Sequence, residues 1–167
     1  MSYCYKMMPS PVGELKLVAS PRGLAAVLWE NEDPWRVRLL APQEEPQHEV
    51  LLETEKQLRE YFAGERQCFT VTLDFQGTEF QKKVWQALMD IPFGETRSYS
   101  EIAHAIGHPG AVRAVGAANG RNPLSIIAPC HRVIGANGKL TGYAGGLTVK
   151  AFLLNIEARH STELSLC

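Results

Sequence analysis

The chain has 167 residues, the size of one ordinary domain or two very small ones. Its 45% hydrophobic and 21% charged residues exclude a disordered chain, a coiled coil and a collagen-like fibre. The longest apolar runs span only a few residues, so no segment is expected to cross a bilayer, and no secretory signal opens the sequence. These features predict a cytoplasmic protein.

The two halves of the chain differ in charge. Residues 1–77 carry 8 Lys and Arg against 12 Asp and Glu, a net charge of −4, whereas residues 78–167 carry 9 against 6, a net charge of +3. The second half therefore tolerates a polyanion better than the first. The excess is too small for tight binding to nucleic acid through phosphate contacts alone.

The first elements in chain order predict a β-hairpin. Residues 14–18 alternate polar and apolar side chains, residues 21–23 carry a Pro-Arg-Gly turn signal, and residues 24–29 form a second apolar run. Residues 31–47 are rich in Pro and Glu, which predicts irregular or edge structure.

A helix and a strand are predicted next. Over residues 48–62, Leu51, Leu58 and Phe62 fall near one helical face, and Gly64 follows as a stop signal. Residues 69–75 alternate strictly, which predicts a strand with one solvent-exposed face. The first half therefore reads as a small α+β unit.

The second half begins with a helix. Thr78 and Gln81 have the spacing of a capping box, and apolar residues then recur at helical spacing as far as Ile91. A Pro-Phe-Gly stop follows at residues 92–94. This change of pattern places a domain boundary between residues 77 and 78.

Two short helices follow, and their arrangement predicts a helix-turn-helix. The first begins at Ser100 and covers residues 101–106, and the second covers about 110–119. In the second helix Arg113 is the only charge and most other residues are small. Two interpretations have equal weight on pattern alone: close approach to a nucleic-acid groove, or tight packing in the core.

Residues 122–146 are dense in Gly, Pro and Asn and contain Cys130 in an apolar setting. A thiolate is the reactive form of cysteine, and a neighbouring cation or hydrogen-bond donor favours it. His131 and Arg132 are the local candidates, and a proton relay through water is expected rather than direct contact. The alternative is a buried cysteine with only a packing role.

The segment 129–133, Pro-Cys-His-Arg-Val, resembles the acceptor-cysteine signature of the O⁶-alkylguanine-DNA alkyltransferases, also called methylated-DNA–protein-cysteine methyltransferases. Five further segments lie in the order and spacing of that family, three before this signature and two after it: 94–99, 113–116, 122–123, 142–147 and 153–157. Residues 78–158 resemble its C-terminal domain throughout, and the N-terminal half resembles the family loosely. The resemblance implies an α+β protein with a small ribonuclease-H-like N-terminal domain (1–77) and a winged helix-turn-helix domain (78–167).

The resemblance also implies an activity, namely irreversible, single-turnover transfer of an alkyl group from O⁶-alkylguanine in DNA to a cysteine, with O⁴-alkylthymine as an open second substrate. By similarity, Cys130 is the nucleophile, His131 is its base through a water, and Glu157 orients the imidazole. No cofactor is expected because the lesion itself donates the alkyl group.

Further roles follow from the same resemblance. Helix 110–119 would enter the minor groove of a double-stranded DNA partner and the target base would be rotated out. Arg113 would fill the gap, Tyr99 would crowd the 3′ phosphate and assist departure of the base through its hydroxyl, and Asn122 would brace the turn before the active site. The remaining expected contacts are with DNA through Ala114 and Ala117, and with the base through Val133, Tyr143, Ala144 and Gly145.

Two departures from the family pattern carry expectations of their own. Some members have serine where this chain has Ala144, so one side-chain hydrogen bond to the lesion oxygen is absent. Cys4, Cys68 and His48 do not reproduce the zinc-ligand spacing of some animal members, so no metal is expected. The four cysteines are expected to be reduced, and the free protein is expected to be a monomer without membrane contacts.

Two other function classes compete with this interpretation. Alkyltransferase-like proteins that bind lesions without repairing them share the fold but lack the acceptor cysteine, which this chain has. A Cys-His hydrolase or thiol transferase unrelated to DNA would have no use for Arg113 on a helix of small residues.

Overall fold

The computed structural model describes residues 2–162; Cys167 and the end of the predicted second domain lie outside them. The elements of the described part are, in chain order, β1 Cys4–Met8, β2 Leu15–Ser20, β3 Gly23–Trp29, β4 Gln43–Glu44, α1 Glu49–Phe62, α2 Glu79–Met89, β5 Arg97–Ser98, α3 Tyr99–Ala105, α4 Val112–Gly120, a 3₁₀ turn Cys130–Arg132, β6 Val133–Ile134 and α5 Leu147–His160. None of these helices is long and apolar enough to span a bilayer.

The N-terminal half is a four-stranded sheet with one helix packed against it. The strand order is β3-β2-β1-β4, with antiparallel pairing among β1, β2 and β3 and a parallel pairing of β4 with β1. The predicted hairpin corresponds to β2 and β3. Helix α1 buries Leu51, Leu58 and Tyr61 completely, and each such side chain contributes about 1.5–3 kcal/mol of hydrophobic stabilisation.

The predicted strand over residues 69–75 is wrong. Within the described part of the chain the segment makes one isolated bridge, between Leu24 and Leu73, supported by two backbone hydrogen bonds of Leu24 with Thr72 and Asp74. Its alternate side chains do pack against the core, which explains the period of two in the sequence. Periodicity reports which face is buried, whereas a strand needs a neighbour along its whole length.

The helices of the second half begin at caps. Helix α2 has the predicted capping box between Thr78 and Gln81. Helix α3 is capped by Ser98 rather than by the predicted Ser100, because the Ser98 hydroxyl and the Glu101 side chain cap each other's backbone N–H groups. Helix α4 starts at Val112, two residues later than predicted, after a turn at 108–111.

The two halves are joined by strand β3 and the segment after α4. The backbone N–H of Val27 donates to the carbonyl of Pro123 at 2.9 Å, and the indole N–H of Trp29 donates to the Ser125 hydroxyl at 3.1 Å. The Arg36 guanidinium donates to the carbonyl oxygen of Asn122 at 2.7 Å. The N-terminal half thus supports the segment that leads to Cys130.

The expectation that every cysteine is reduced is wrong for Cys68, which is disulfide-bonded.

Candidate active site

The segment that carries Cys130 is buried and tightly turned. Asn122 braces it by donating from its side-chain amide to the carbonyl of Ala128 at 2.8 Å and accepting from the Leu124 N–H at 3.0 Å. Ile126 adopts a φ of 73°, which a β-branched residue rarely adopts. Such strain persists only where the surroundings enforce it, and it stands four residues before the cysteine.

A buried cluster of four polar side chains lies beside the cysteine. The Glu157 carboxylate contacts the His131 imidazole, between Oε2 and Nε2 at 2.6 Å, and accepts from the Tyr61 hydroxyl at 2.6 Å. The Arg132 guanidinium donates to both carboxylate oxygens, at 2.7 and 3.1 Å, and to the carbonyl of Ile91 at 2.6 Å. Helices α1 and α5 therefore meet the active-site turn at one carboxylate.

The cluster determines the protonation states of Glu157 and His131. Burial raises the pKa of Glu157, but the hydrogen bonds from His131 and Arg132 and the charge of Arg132 outweigh it and bring that pKa well below its usual value. Burial lowers the pKa of His131, against the opposing effect of Glu157. Glu157 is therefore ionised and His131 neutral at pH 7. With Nε2–H donating to the carboxylate, Nδ1 carries the free lone pair.

That Nδ1 atom is buried and has no hydrogen-bond partner among the described residues. A buried polar atom without a partner costs free energy, so it marks a place for water or for a transferred proton. Because the same ring is held by Glu157 on its other side, the imidazole is arranged as a general base.

Cys130 rests as a thiol. It is 4% exposed, and burial raises the pKa of its thiol, against the opposing effects of Asn122, Arg36, Lys150 and Tyr143. Arg132, expected as a local cation for the thiol, is instead bound to Glu157. The thiol therefore needs a base before it can act as a nucleophile.

Of the residues predicted to line the pocket, Val133 and Tyr143 belong to the same apolar cluster as Cys130. Val133 follows the 3₁₀ turn and is fully buried. The Tyr143 ring packs edge-on against Trp29 with centroids 5.6 Å apart, and a side chain at Gly145 would collide with the Trp29 indole at 2.9 Å. Gly145 therefore lies against the indole with no room for a side chain, and the neighbouring Ala144 packs against the same core.

Tyr99 is tied to the pocket by residues that the sequence did not single out. Its hydroxyl is hydrogen-bonded to the Thr141 hydroxyl, and the buried Lys150 donates to both Thr141 and the carbonyl of Val133. Tyr61, Trp29 and Arg36 were also missed. Of these, only Tyr61 left a signal, since a tyrosine falls on the apolar face of the predicted helix 48–62.

Helix α4 has one buried and one exposed face, so the two interpretations of its sequence do not exclude each other. Val115 and Ala118 are buried against the second core, whereas Arg113, Ala114 and Ala117 are exposed on the outer face. The exposed face is almost bare, so another molecule can approach the helix backbone closely. Tyr99 lies at the edge of this helix, with its ring near Gly116.

Among residues 2–162, one group of side chains could hold a metal ion. Ligand atoms of Cys4, Glu45 and His48 lie within 4.8 Å of one another, in the N-terminal half. The His48 Nδ1 already accepts the N–H of Val50 as the cap of α1. A proton on that nitrogen, which ligation through the other one requires, would break the cap. The absence of a metal stays a prediction.

Two family models match the chain. The model described as the ribonuclease-like domain of 6-O-methylguanine DNA methyltransferase matches residues 3–75, and the model of the DNA binding domain matches residues 79–159. The first matches the sheet and α1, and the second the helices and the cysteine segment. The architecture is accordingly the α+β fold that the sequence predicted.

Curated relatives agree with these matches. A methylated-DNA–protein-cysteine methyltransferase of Methanosarcina acetivorans is 52% identical, with 92% of this chain and 97% of that protein covered. A constitutive one of Bacillus subtilis is 51% identical, with 94% and 96% covered. Among solved structures, the Mycobacterium tuberculosis OGT in complex with DNA superposes with a TM-score of 0.86 at 46% identity, covering 96% of this chain and 94% of that one. The chain therefore belongs to the 6-O-methylguanine DNA methyltransferase family.

Proposed function

We propose that this protein repairs DNA by moving an alkyl group from the O⁶ atom of guanine to the sulfur of Cys130, once per molecule. The observation that carries the proposal is the buried His131–Glu157 pair next to that cysteine, with the imidazole Nδ1 left without a partner among residues 2–162. O⁴-alkylthymine is an open second substrate.

Two buried groups, His131 and Glu157, share the proton transfer that prepares the thiol for the reaction. The His131 imidazole takes the proton of the Cys130 thiol through a water, and Glu157 stabilises the imidazolium that forms. The thiolate attacks the alkyl carbon, the sulfur–carbon bond forms, and the bond from carbon to the purine oxygen breaks. The guanine leaves with that electron pair, assisted by the Tyr99 hydroxyl, and the thioether is stable.

DNA binds through helix α4 in the minor groove. Its exposed face presents Arg113, Ala114 and Ala117, and small residues there allow close contact with the groove walls. The target base is rotated out of the duplex at a cost of a few kcal/mol. Arg113 fills the space it leaves, and Tyr99 crowds the 3′ phosphate. Binding depends on salt and only weakly on sequence.

The extruded purine occupies a pocket formed by Val133, Tyr143, Ala144, Gly145 and Asn122. Because Cys130 is 4% exposed, the purine reaches the sulfur only after side chains packed in the same cluster, such as Tyr143, shift. Backbone groups read the guanine edge. Ala144 offers the lesion oxygen a backbone N–H and no side-chain hydroxyl.

Residues 1–77 act in this proposal as a support for the catalytic and DNA-binding part, residues 78–167. The lesion supplies the alkyl group, so the reaction uses no cofactor. A monomeric free protein, a cytoplasmic location and the absence of a metal and of membrane contacts stay predictions.

The mass of the intact protein tests the proposal. Incubation with a duplex containing O⁶-methylguanine is expected to add one methyl group to the peptide that holds Cys130. Cys130→Ala is expected to abolish the mass gain and keep DNA binding, whereas Cys4→Ala, at the other free thiol of the described residues, is expected to behave as the unaltered protein. Transfer by Cys130→Ala would overturn the assignment, and a duplex bound without mass gain would indicate a lesion binder.

A further inference from the structure

The hydroxyl of Tyr99 is held by one residue of the segment between β6 and α5. Tyr99 is the first residue of α3, and its hydroxyl lies within hydrogen-bond distance of the Thr141 hydroxyl, 42 positions away in sequence. Both side chains are half-buried. The contact joins the element that carries Tyr99 to the segment that forms the pocket.

Thr141 also contacts a buried cation. The Lys150 Nζ lies 3.3 Å from the Thr141 hydroxyl oxygen, 3.4 Å from its carbonyl oxygen and 2.7 Å from the carbonyl oxygen of Val133. Lys150 is fully buried although it carries an ammonium group, and such a group is retained only when its donors have partners. Thr141 therefore stands between a buried cation and the Tyr99 hydroxyl.

The direction of these hydrogen bonds follows from the donor at one end. An ammonium group has three donors and no acceptor, so the Thr141 oxygen must accept from Lys150. A hydroxyl has one proton to give, and the Thr141 proton is then free to go to the Tyr99 oxygen. When Tyr99 accepts this bond, its own proton points away from Thr141.

We infer that Thr141 is a positioning residue that directs the proton of Tyr99 towards the departing purine. The inference rests on the proposed alkyl transfer. As the carbon–oxygen bond breaks, the purine carries the electron pair and takes the proton of the Tyr99 hydroxyl. The tyrosinate left behind accepts the Thr141 hydrogen bond close to the Lys150 ammonium.

Protons balance over the whole turnover. The Cys130 thiol loses one proton to water through His131, and the purine gains one from Tyr99, which is reprotonated from water. The thiol and the alkylated guanine thus become a thioether and an unalkylated guanine that is still part of the DNA, with no other reactant. Hydrogen bonds that strengthen as charge develops accelerate a reaction without tightening ground-state binding.

Thr141→Val tests the inference because it removes the hydroxyl and keeps the shape. We expect the single-turnover rate at saturating O⁶-methylguanine duplex to fall about tenfold, the equivalent of one hydrogen bond to a charged group, with the Kd for the duplex unchanged. Thr141→Ser restores the hydroxyl and is expected to restore the rate. Thr148→Val, the same change at an exposed position of α5, is the control and leaves the rate unchanged.

A double-mutant cycle with Tyr99→Phe separates positioning from support of the fold. If Thr141 acts through the Tyr99 hydroxyl, Thr141→Val costs nothing further in the Tyr99→Phe protein. An equal loss in both backgrounds, or a serine variant as slow as valine, would show that Thr141 only supports the structure and would overturn the inference. Should the valine protein fail to fold, Thr141→Ala takes its place in the same cycle.

A measurement on the unaltered protein distinguishes failure of the Thr141 positioning role from failure of the proposed alkyl transfer. If it transfers methyl to Cys130 and Thr141→Val does so at the same rate, only the positioning role falls. If the unaltered protein gains no methyl group, the proposed function falls with it.

Discussion

The carboxylate cluster around Glu157 and the outer face of helix α4 are opposite in burial and in the number of hydrogen bonds that their side chains make. In the cluster every polar atom but one has a partner, and the side chains are almost fully buried. On α4, Arg113, Ala114 and Ala117 are exposed. Proton transfer benefits from fixed, desolvated groups, whereas contact with a large partner needs an open surface. Changes in the cluster should therefore alter stability and chemistry together, and changes on α4 should alter binding alone.

Glu157→Gln is expected to have the largest effect on the cluster. It leaves the buried Arg132 guanidinium without a counter-charge, which costs about 3–5 kcal/mol of unfolding free energy. It also weakens the base, so methyl transfer slows by about 10²–10⁴ while DNA binding is nearly unchanged. Chemical denaturation and single-turnover kinetics measure the two effects. An unchanged transfer rate would remove Glu157 from the proton relay.

Ala114→Glu should weaken DNA binding and leave the stability of the protein unchanged. A carboxylate on the bare face of α4 repels phosphates and blocks close approach, and we expect about 100-fold weaker DNA binding, equivalent to roughly 2.7 kcal/mol. The melting temperature is expected to stay the same because the position is exposed. Ala151→Glu, on the exposed side of α5, is the charge-matched control. Equal weakening by both variants would show only an effect of net charge.

Tyr61→Phe is a smaller change within the cluster. It removes one hydrogen bond to Glu157 but leaves both bonds from Arg132, so we expect a loss of about 1.5 kcal/mol in unfolding free energy. The transfer rate at saturating DNA should change little, since the imidazole keeps its contact with the carboxylate. A large loss of rate with intact stability would place Tyr61 in the chemistry itself.

A change of pH is expected to have the smallest effect of these changes on the transfer rate and on stability. Because the pKa of His131 is lowered below its usual 6.5, the imidazole is neutral at pH 7 and the transfer rate is flat above about pH 6.5, then falls at most about tenfold per pH unit below the folded-state pKa. The lowered pKa values of His131 and Glu157 act on stability in the same direction. Each contribution is present above the unfolded-state pKa and is lost as pH falls through the folded-state pKa. A rate that rises on acidification would contradict this assignment of the base.

The elements that the sequence predicted well have local causes. The capping box of Thr78 and Gln81 and the apolar spacing after it depend on residues within a few positions, and α2 begins where they indicate. The hairpin of β2 and β3 is equally local. Residues 69–75 show the limit, because their alternation was visible whereas the missing neighbours along the segment were not.

By itself the sequence determined the identity of the cysteine segment and the helical pattern around it, because each depends on residues close together along the chain. The two faces of α4 were settled only by the burial of Val115 and Ala118 in the folded chain. Only the tertiary structure decided that Glu157 would meet Tyr61 from the other half, that Arg132 would bind this carboxylate rather than the thiol, and that Thr141 would link Lys150 to Tyr99. These contacts join residues between 9 and 96 positions apart. Burial then sets which groups are charged, and burial is a property of the folded chain.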